Sequence, residues 1–186
     1  MTLTDLLHRR RSIKRFTNRP VSREEIETLL AAATLAPNHR LTQPWRFYVL
    51  GPKARLAYGL ALGERKARKL DDAGAATVLR DKVAEEHRAL PCMIAVAIVR
   101  NENEEIAQED YAAAMMGIEN LALAAVEIEL GTHIKTGGVI DDPAARAAVG
   151  VPANERIVAV VNVGEPAEVP APKPRRRATD LTSWRD

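Results

Sequence analysis

Residues 109–138 read EDYAAAMMGIENLALAAVEIELGTHIKTGG, and this run sets the frame of the fold. From Glu109 to Leu130, Tyr111, Met115, Ile118, Leu121, Ala125 and Ile128 recur at the three- and four-residue steps of one helix face. The first half, YAAAMMGI, is apolar around nearly its whole circumference. A helix of that kind is covered on every side, in a large core or against another chain. For 186 residues the subunit interface is the better expectation. Gly131 then interrupts the helix, THIK (132–135) reads as a short strand, and Thr136-Gly137-Gly138 as the loop leaving it.

Toward the C-terminus, Asp142-Pro143 opens another helix, with the proline suited to its first turn. Ile157–Val163 (IVAVVNV) is the strongest strand in the chain, closed by Gly164. Pro166, Pro170, Pro172 and Pro174 then specify an extended tail. Toward the N-terminus, a short helix is expected from an N-cap at Thr4, followed by a loop at Asn18-Arg19-Pro20. Ser22 and Glu25 form an S-x-x-E capping box for a helix whose apolar face is Ile26, Leu29, Leu30 and Ala33; Pro37 stops it. Arg46–Leu50 and Met93–Val99 read as strands. Residues 53–90 read as helical, and the charge-dense part from Gly63 to Arg88 as a surface cover or lid. No internal repeat or boundary interrupts the chain, so a single domain over 1–186 is expected, with strands and helices mixed as α/β or α+β.

Composition narrows the function. Hydrophobic residues make up 46% and charged residues 28%, ordinary for a soluble globular protein. No apolar stretch approaches the roughly 20 residues that span a bilayer, and the first residues lack the apolar core of a signal peptide. Cys92, the single cysteine, lies in an apolar run and reads as a core thiol. With no disulfide possible within the chain, a cytoplasmic location is expected. The net charge of +2 conceals a segregation. Residues 8–15 hold five Lys/Arg and residues 173–177 four; outside them stand 18 basic and 25 acidic residues, a body near −7. The two basic ends either converge on one anion, or are solvated tails, or form a weak nucleic-acid patch.

The common chemical motifs are absent. There is no G-x-G-x-x-G after a strand and no G-x-x-x-x-G-K-[ST], and no G-x-S-x-G elbow. His8, His39, His87 and His133 lack the spacing of a zinc site, so no metal is expected. No general acid, base or nucleophile stands out, and a bound cofactor carrying the chemistry becomes the attractive alternative.

Three separated segments give that cofactor a form. Arg10-Arg11-Ser12-Ile13-Lys14-Arg15-Phe16 resembles the R-x-S-x-K/R-x-F signature of nitroreductase-like proteins. Ala36-Pro37-Asn38-His39-Arg40-Leu41-Thr42-Gln43-Pro44-Trp45 resembles the family's A-P-S-x-x-N-x-Q-P-W, in the A-P-[DN]-H form of its short, compact members. Lys173-Pro174-Arg175, after the Gly164-Glu165-Pro166 turn, resembles its K-x-R. Leu41 departs from the family's common asparagine and removes one polar contact, and residues 60–90 align with nothing in the family pattern.

The resemblance implies an α+β fold with a central, mainly antiparallel sheet flanked by helices, in an interlocked homodimer with FMN at the interface. It places Arg10, Arg11 and Ser12, with Lys173 and Arg175, at the phosphate end of FMN. Guanidinium groups suit phosphate because they form paired, charge-assisted hydrogen bonds. It places Lys14 at the pyrimidine edge, with Arg15 the competitor for that role. Asn38 and His39 are placed against the flavin of the partner subunit, and Ile134, Lys135 and Thr136 beside the flavin ring, with Lys135 either a second cation there or a surface lysine at the end of its strand. Gln43-Pro44-Trp45 is expected to buttress its loop, with Trp45 in the core. No side chain is assigned a covalent or acid–base role. The implied activity is ping-pong hydride transfer from NADPH or NADH to a small-molecule acceptor such as a nitroaromatic, a quinone or a conjugated carbonyl. Other chemistry on the same fold (dehalogenation, flavin fragmentation, peptide oxidation) and a flavin carrier without turnover are the alternatives. Aromatic residues at 4% leave few stacking platforms for nucleic acid.

Overall fold

The computed structural model describes all 186 residues. Six helices are present: α1 (Leu3–Arg9), α2 (Arg23–Thr34), α3 (Pro52–Ala67), α4 (Ala73–Arg88), α5 (Glu104–Glu127) and α6 (Pro143–Val149). They surround four strands: β1 (Trp45–Val49), β2 (Cys92–Val99), β3 (Gly131–Lys135) and β4 (Glu155–Gly164). The sheet order is β1-β2-β4-β3 and every neighbouring pair is antiparallel. The architecture is therefore α+β, as the resemblance implies.

Local chemistry explains where the boundaries moved from their expected places. The first helix is capped by Thr2 rather than Thr4: the Thr2 hydroxyl accepts from the Asp5 amide, and the Asp5 carboxylate accepts from the Thr2 amide at 2.8 Å. Both threonines can cap, but only Thr2 has an acid three residues on. The Ser22–Glu25 box forms as expected. The long helix starts at Glu104, five residues before Glu109, because the Asn103 side chain accepts from the Ile106 amide and two glutamates occupy its first turn. It ends at Glu127; Glu129 takes a positive φ of 62° and the Leu130 amide reaches back to the Ala125 carbonyl at 2.7 Å. The expected apolar stripe also shifts at its start. Ala114, Ile118, Leu121 and Ala125 are buried, while Tyr111 turns outward beneath the Arg156 guanidinium, 5.4 Å from the ring centre. Tyr111, Ala112 and Met116 leave one side of α5 open in the single chain.

β2 is buried on both faces, and its alternation sorts the core into two layers. Ile94, Val96 and Ile98 face α2 and α5, with Leu29, Ile118 and Leu121. Met93, Ala95 and Ala97 face the layer of α3 and α6, with Tyr58, Val139 and Ala145. Cys92 lies in the first layer, where burial pushes its thiol up to about 11, so it is a core residue. Residues 60–90 form not a loose lid but the greater part of a tight helical hairpin. A Cβ at Gly59 would sit 2.7 Å from the Ala84 Cα, and one at Gly63 2.7 Å from the Arg80 carbonyl, so α3 and α4 meet backbone to backbone.

Candidate functional site

The extended segment from Ser12 to Thr17 is clamped between β3 and the chain that leaves β4. Ser12 forms a parallel bridge with Thr132, and the Ile13 amide donates to the Thr132 carbonyl at 2.8 Å. On the other side, the Thr17 amide donates to Glu165 at 2.9 Å and the Ala167 amide to Arg15 at 3.0 Å. Ile13 is buried against Gly131, where no side chain would fit. Extended backbone alternates its side chains, so with Ile13 inward, Ser12 and Lys14 turn to the opposite side. There they join Arg10, Arg11, Lys173 and Arg175 in lining a groove of about 860 Å³. The two basic ends of the sequence therefore converge.

The electrostatics of this groove are one-sided. Six lysines and arginines line it against one carboxylate, Glu168. Glu168 is taken by Arg15 at 3.4 Å, and the Arg10 Nε pairs with Glu119 of α5 at 3.1 Å. One Arg11 Nη donates to the His8 and Arg10 carbonyls, while its buried Nε has no partner. Lys14, Lys173 and Arg175 form no ion pair. Arg11, Lys14, Lys173 and Arg175 are left without a carboxylate, and a groove with such a surplus of positive charge suits an anion.

The end of β3 adjoins this groove. Ile134 packs on the α2/α5 layer, so His133 and Lys135 project to the other face, in register with Asn162 and Val160. Lys135 is not a surface lysine: it is partly buried, and its Nζ lies 3.4 Å from the His87 Nε2. Burial, then Lys66, holds its ammonium below the usual range. Burial also lowers His133, helped by Lys135 and Lys14. Lys14 and Lys135 thus both lower the same imidazole, although no residue of β3 lines the groove itself. Thr136 follows, exposed, in the next loop.

Asn38 and His39 lie elsewhere. Their loop is fastened to the first half of α5: His39 Nδ1 is 2.8 Å from Glu109, Arg40 reaches Glu105 and Glu109, and Thr42 hydrogen-bonds the buried Asp110. The Asn38 side-chain oxygen accepts from the Gln43 amide at 2.7 Å. Arg40, Leu41 and Gln43 all have φ between 45° and 65°, a left-handed backbone that L side chains seldom adopt. Pro44 and Trp45 are buried and support the loop, whereas Gln43 is exposed. Glu109 and Glu119, which hold His39 and Arg10, are ten residues apart on α5, about 15 Å along its axis. Within one chain, Asn38 and His39 do not line the groove.

Sequence reasoning missed Glu119, Asp110 and His87. Glu119 leaves a trace, the one acid between Tyr111 and Val126 in the apolar part of the helix. His87 leaves none, because it stands among six charged residues between Arg80 and Arg88. No group of three or more His, Cys, Asp or Glu side chains is arranged to hold a metal ion, and no helix is long and apolar enough to cross a membrane.

The protein is an α+β fold with an antiparallel four-stranded sheet and a cationic groove between its first and last segments, and comparison with known proteins gives it a family. The sequence profile of the Nitroreductase family matches residues 7–165, and the chain belongs to that family. It is similar to "Putative NAD(P)H nitroreductase YfhC" of Bacillus subtilis, 33% identical over 184 residues that cover 96% of this chain and 91% of YfhC. Among solved structures, a nitroreductase-like family protein from Bacillus cereus superposes with a TM-score of 0.87 at 26% identity, covering 100% of this chain and 97% of that one. A structure from Desulfovibrio desulfuricans, solved in complex with FMN, gives a TM-score of 0.75 at 26% identity, covering 98% and 96%.

Proposed function

We propose that this chain is an FMN-dependent NAD(P)H oxidoreductase acting on nitroaromatic, quinone or related conjugated acceptors, one domain in each subunit of a homodimer. The observation that carries this reading is the groove in which six cations face one carboxylate. The terminal phosphate of FMN brings between one and two negative charges, and Arg10, Arg11, Lys173 and Arg175 are the residues to hold it. The unpartnered Arg11 Nε and the unpaired Lys173 and Arg175 fit an anion of that kind. Ser12 donates to the phosphate or the ribityl chain. Lys14, on the same side of the segment and free of any carboxylate, supplies positive charge to the pyrimidine edge. When bound, FMN supplies the redox chemistry, accepting hydride from NADPH or NADH and passing it to the acceptor.

The chain's own contribution is to bind, orient and bias by charge, and protons come from water. Asn38 and His39, fastened about 15 Å along α5 from the Arg10 anchor, are assigned to the flavin held mainly by the partner subunit. The open side of α5 at Tyr111, Ala112 and Met116 is the surface on which that subunit would pack. The relative's name supports NAD(P)H as reductant, and the Desulfovibrio structure supports FMN.

The first test is the visible spectrum of the purified protein before and after NADPH, then NADH. Flavin bands that bleach with a nicotinamide support both cofactor and reductive half-reaction. Bands that persist leave a flavoprotein of other chemistry. A colourless protein that takes up no added FMN overturns the proposal. Lys14→Ala is expected to slow flavin reduction in stopped flow more than it weakens FMN binding; an unchanged reduction rate removes Lys14 from its assigned role.

A further inference from the structure

His87 is one of the few polar side chains buried in the interior, 6% exposed on the inward side of α4. Its Nδ1 lies 2.7 Å from the Val83 carbonyl oxygen. A carbonyl only accepts, so Nδ1 carries the proton, and in the neutral ring Nε2 is an acceptor. At 3.4 Å from that Nε2 stands Lys135 Nζ, an ammonium that can only donate. A neutral imidazole and a charged lysine satisfy this contact, the ammonium donating and Nε2 accepting. Burial, the largest effect, and the Lys135 and Lys66 charges favour the neutral ring; the hydrogen bond to the Val83 carbonyl and, more weakly, Glu86 oppose them, and the net shift is downward.

The partner of a buried lysine is usually a carboxylate, which would cancel its charge. Here no carboxylate lies within ion-pair distance, and an imidazole takes that place. The ammonium is thus fixed in position with its positive charge intact. It sits at the last residue of β3, directly before the Thr136-Gly137 loop, on the same sheet face as His133. Lys14 acts on that same face from the groove side, through His133.

We propose that His87 is a positioning residue: by accepting a hydrogen bond from Lys135 it fixes that ammonium at the end of β3, so that the chain presents a second cation, beside Lys14, to the flavin ring as it gains negative charge on reduction. This rests on the FMN reading above. A carboxylate in place of His87 would hold Lys135 equally well and silence it; a histidine holds it and leaves it active. The groups that face the pair are Tyr58 and Lys66 from α3, Glu86 from α4, and His133 on β3. Acid that protonates His87 removes the acceptor and sets two cations against each other.

The test compares the midpoint potential of bound FMN in the wild type, Lys135→Met, His87→Leu and His87→Gln. A fixed cation favours the reduced ring, so Lys135→Met is expected to lower the potential. His87→Leu, with Lys135 intact, is expected to lower it in the same direction. His87→Gln, whose amide oxygen can still accept, is expected to restore most of the difference. Equal potentials in all four proteins overturn the proposal, as does a glutamine variant as low as the leucine one, which would assign the effect to ring packing. Imidazole ¹⁵N shifts of the wild type give a second reading that needs no variant to fold. A neutral Nδ1–H tautomer near pH 7 is expected, and an Nε2–H tautomer or a charged ring overturns the proposal. Wild type that takes up no FMN would end the FMN reading itself, separately from any difference among the variants.

Discussion

The two faces of the sheet are closed by helices in a similar way, yet they differ in how far their interior polar groups are satisfied. On the α2/α5 side, the more apolar of the two, Ile94, Val96, Val161 and Val163 meet Leu29, Ile118 and Leu121, and the polar groups there are partnered, Asp110 by Thr42 and Asn120 by the Ala32 carbonyl. On the α3/α4/α6 side, Met93, Ala95 and Val160 give way toward β3 to Asn162, His133, Lys135 and His87, with Tyr58 alongside. Neither the Tyr58 hydroxyl nor the Asn162 side-chain oxygen has a partner. A buried polar group left unpaired costs about 1–3 kcal/mol. The difference teaches that one face is apolar with its few polar groups satisfied, whereas the other accepts a loss of stability in unpartnered ones.

The sharpest way to break that contrast is in the apolar face. Leu121 is fully buried on α5, and Leu121→Ala is expected to destabilise the protein by about 2–5 kcal/mol in urea unfolding, through lost burial and the cavity left behind. A loss well under about 1 kcal/mol would show that this layer is loosely packed and the contrast unfounded.

Glycines at the helix contacts probe both faces with one change. A Cβ at Gly117 would lie 2.8 Å from the Ala33 carbonyl, and one at Gly59 2.7 Å from the Ala84 Cα and 2.9 Å from the His87 Cβ. In each case backbone must move, so Gly117→Ala and Gly59→Ala are both expected to cost about 1–3 kcal/mol. They differ in reach: Gly59→Ala also presses on His87 and is expected to shift its imidazole NMR signals, whereas Gly117→Ala leaves them in place. Tyr58→Phe is a smaller change of opposite sign. It removes a hydroxyl with no partner and is expected to stabilise the protein by about 1 kcal/mol. A clear loss in the urea midpoint would reveal a partner for that hydroxyl.

The apolar face is also the one that could be read in the sequence. The period of α5, the Ser22–Glu25 box and the continuous run of β2 are local signals, and each element stands within a few residues of its expected place. The errors came where a polar side chain decides the boundary: Thr2 with Asp5 for α1, Asn103 for α5. The groove was legible only in part: two basic clusters in an acidic body left convergence, solvated tails and a nucleic-acid patch open, and the motif resemblance decided among them. The polar face was not legible. His87 and Lys135 are 48 residues apart and meet only through the α3/α4 hairpin and the β3 register. That hairpin is specified by Gly59 and Gly63, whose role lies in what they allow α4 to approach. Nothing in a charge-dense run marks one histidine as the inward-facing one.

The last and smallest difference between the faces is a pH dependence, and its sign follows from the direction of the shifts. Burial lowers both His87 and His133 below their ordinary 6.5, so the fold prefers the neutral rings. Above about pH 7 these rings are neutral in folded and unfolded chains alike and contribute nothing to the pH slope. As the pH falls through 6.5 the unfolded chain takes up protons first, and stability drops until the folded pKa values are passed. Carboxylates act in a separate window: Glu25, lowered by Arg19 and the Ser22 amide, and Glu109, lowered by His39 and Arg40, add stability above their ordinary 4.5 that is lost as the pH falls below it. Loss of urea stability between pH 7 and 5 therefore belongs to the polar face, and loss below 4.5 to the exposed caps and the Asn38 loop. His87→Gln combined with His133→Gln is expected to flatten the upper window and leave the lower one unchanged. A slope between pH 7 and 5 that survives both substitutions would mean that the fold does not favour the neutral rings, and with that the contrast between the two faces would lose its electrostatic half.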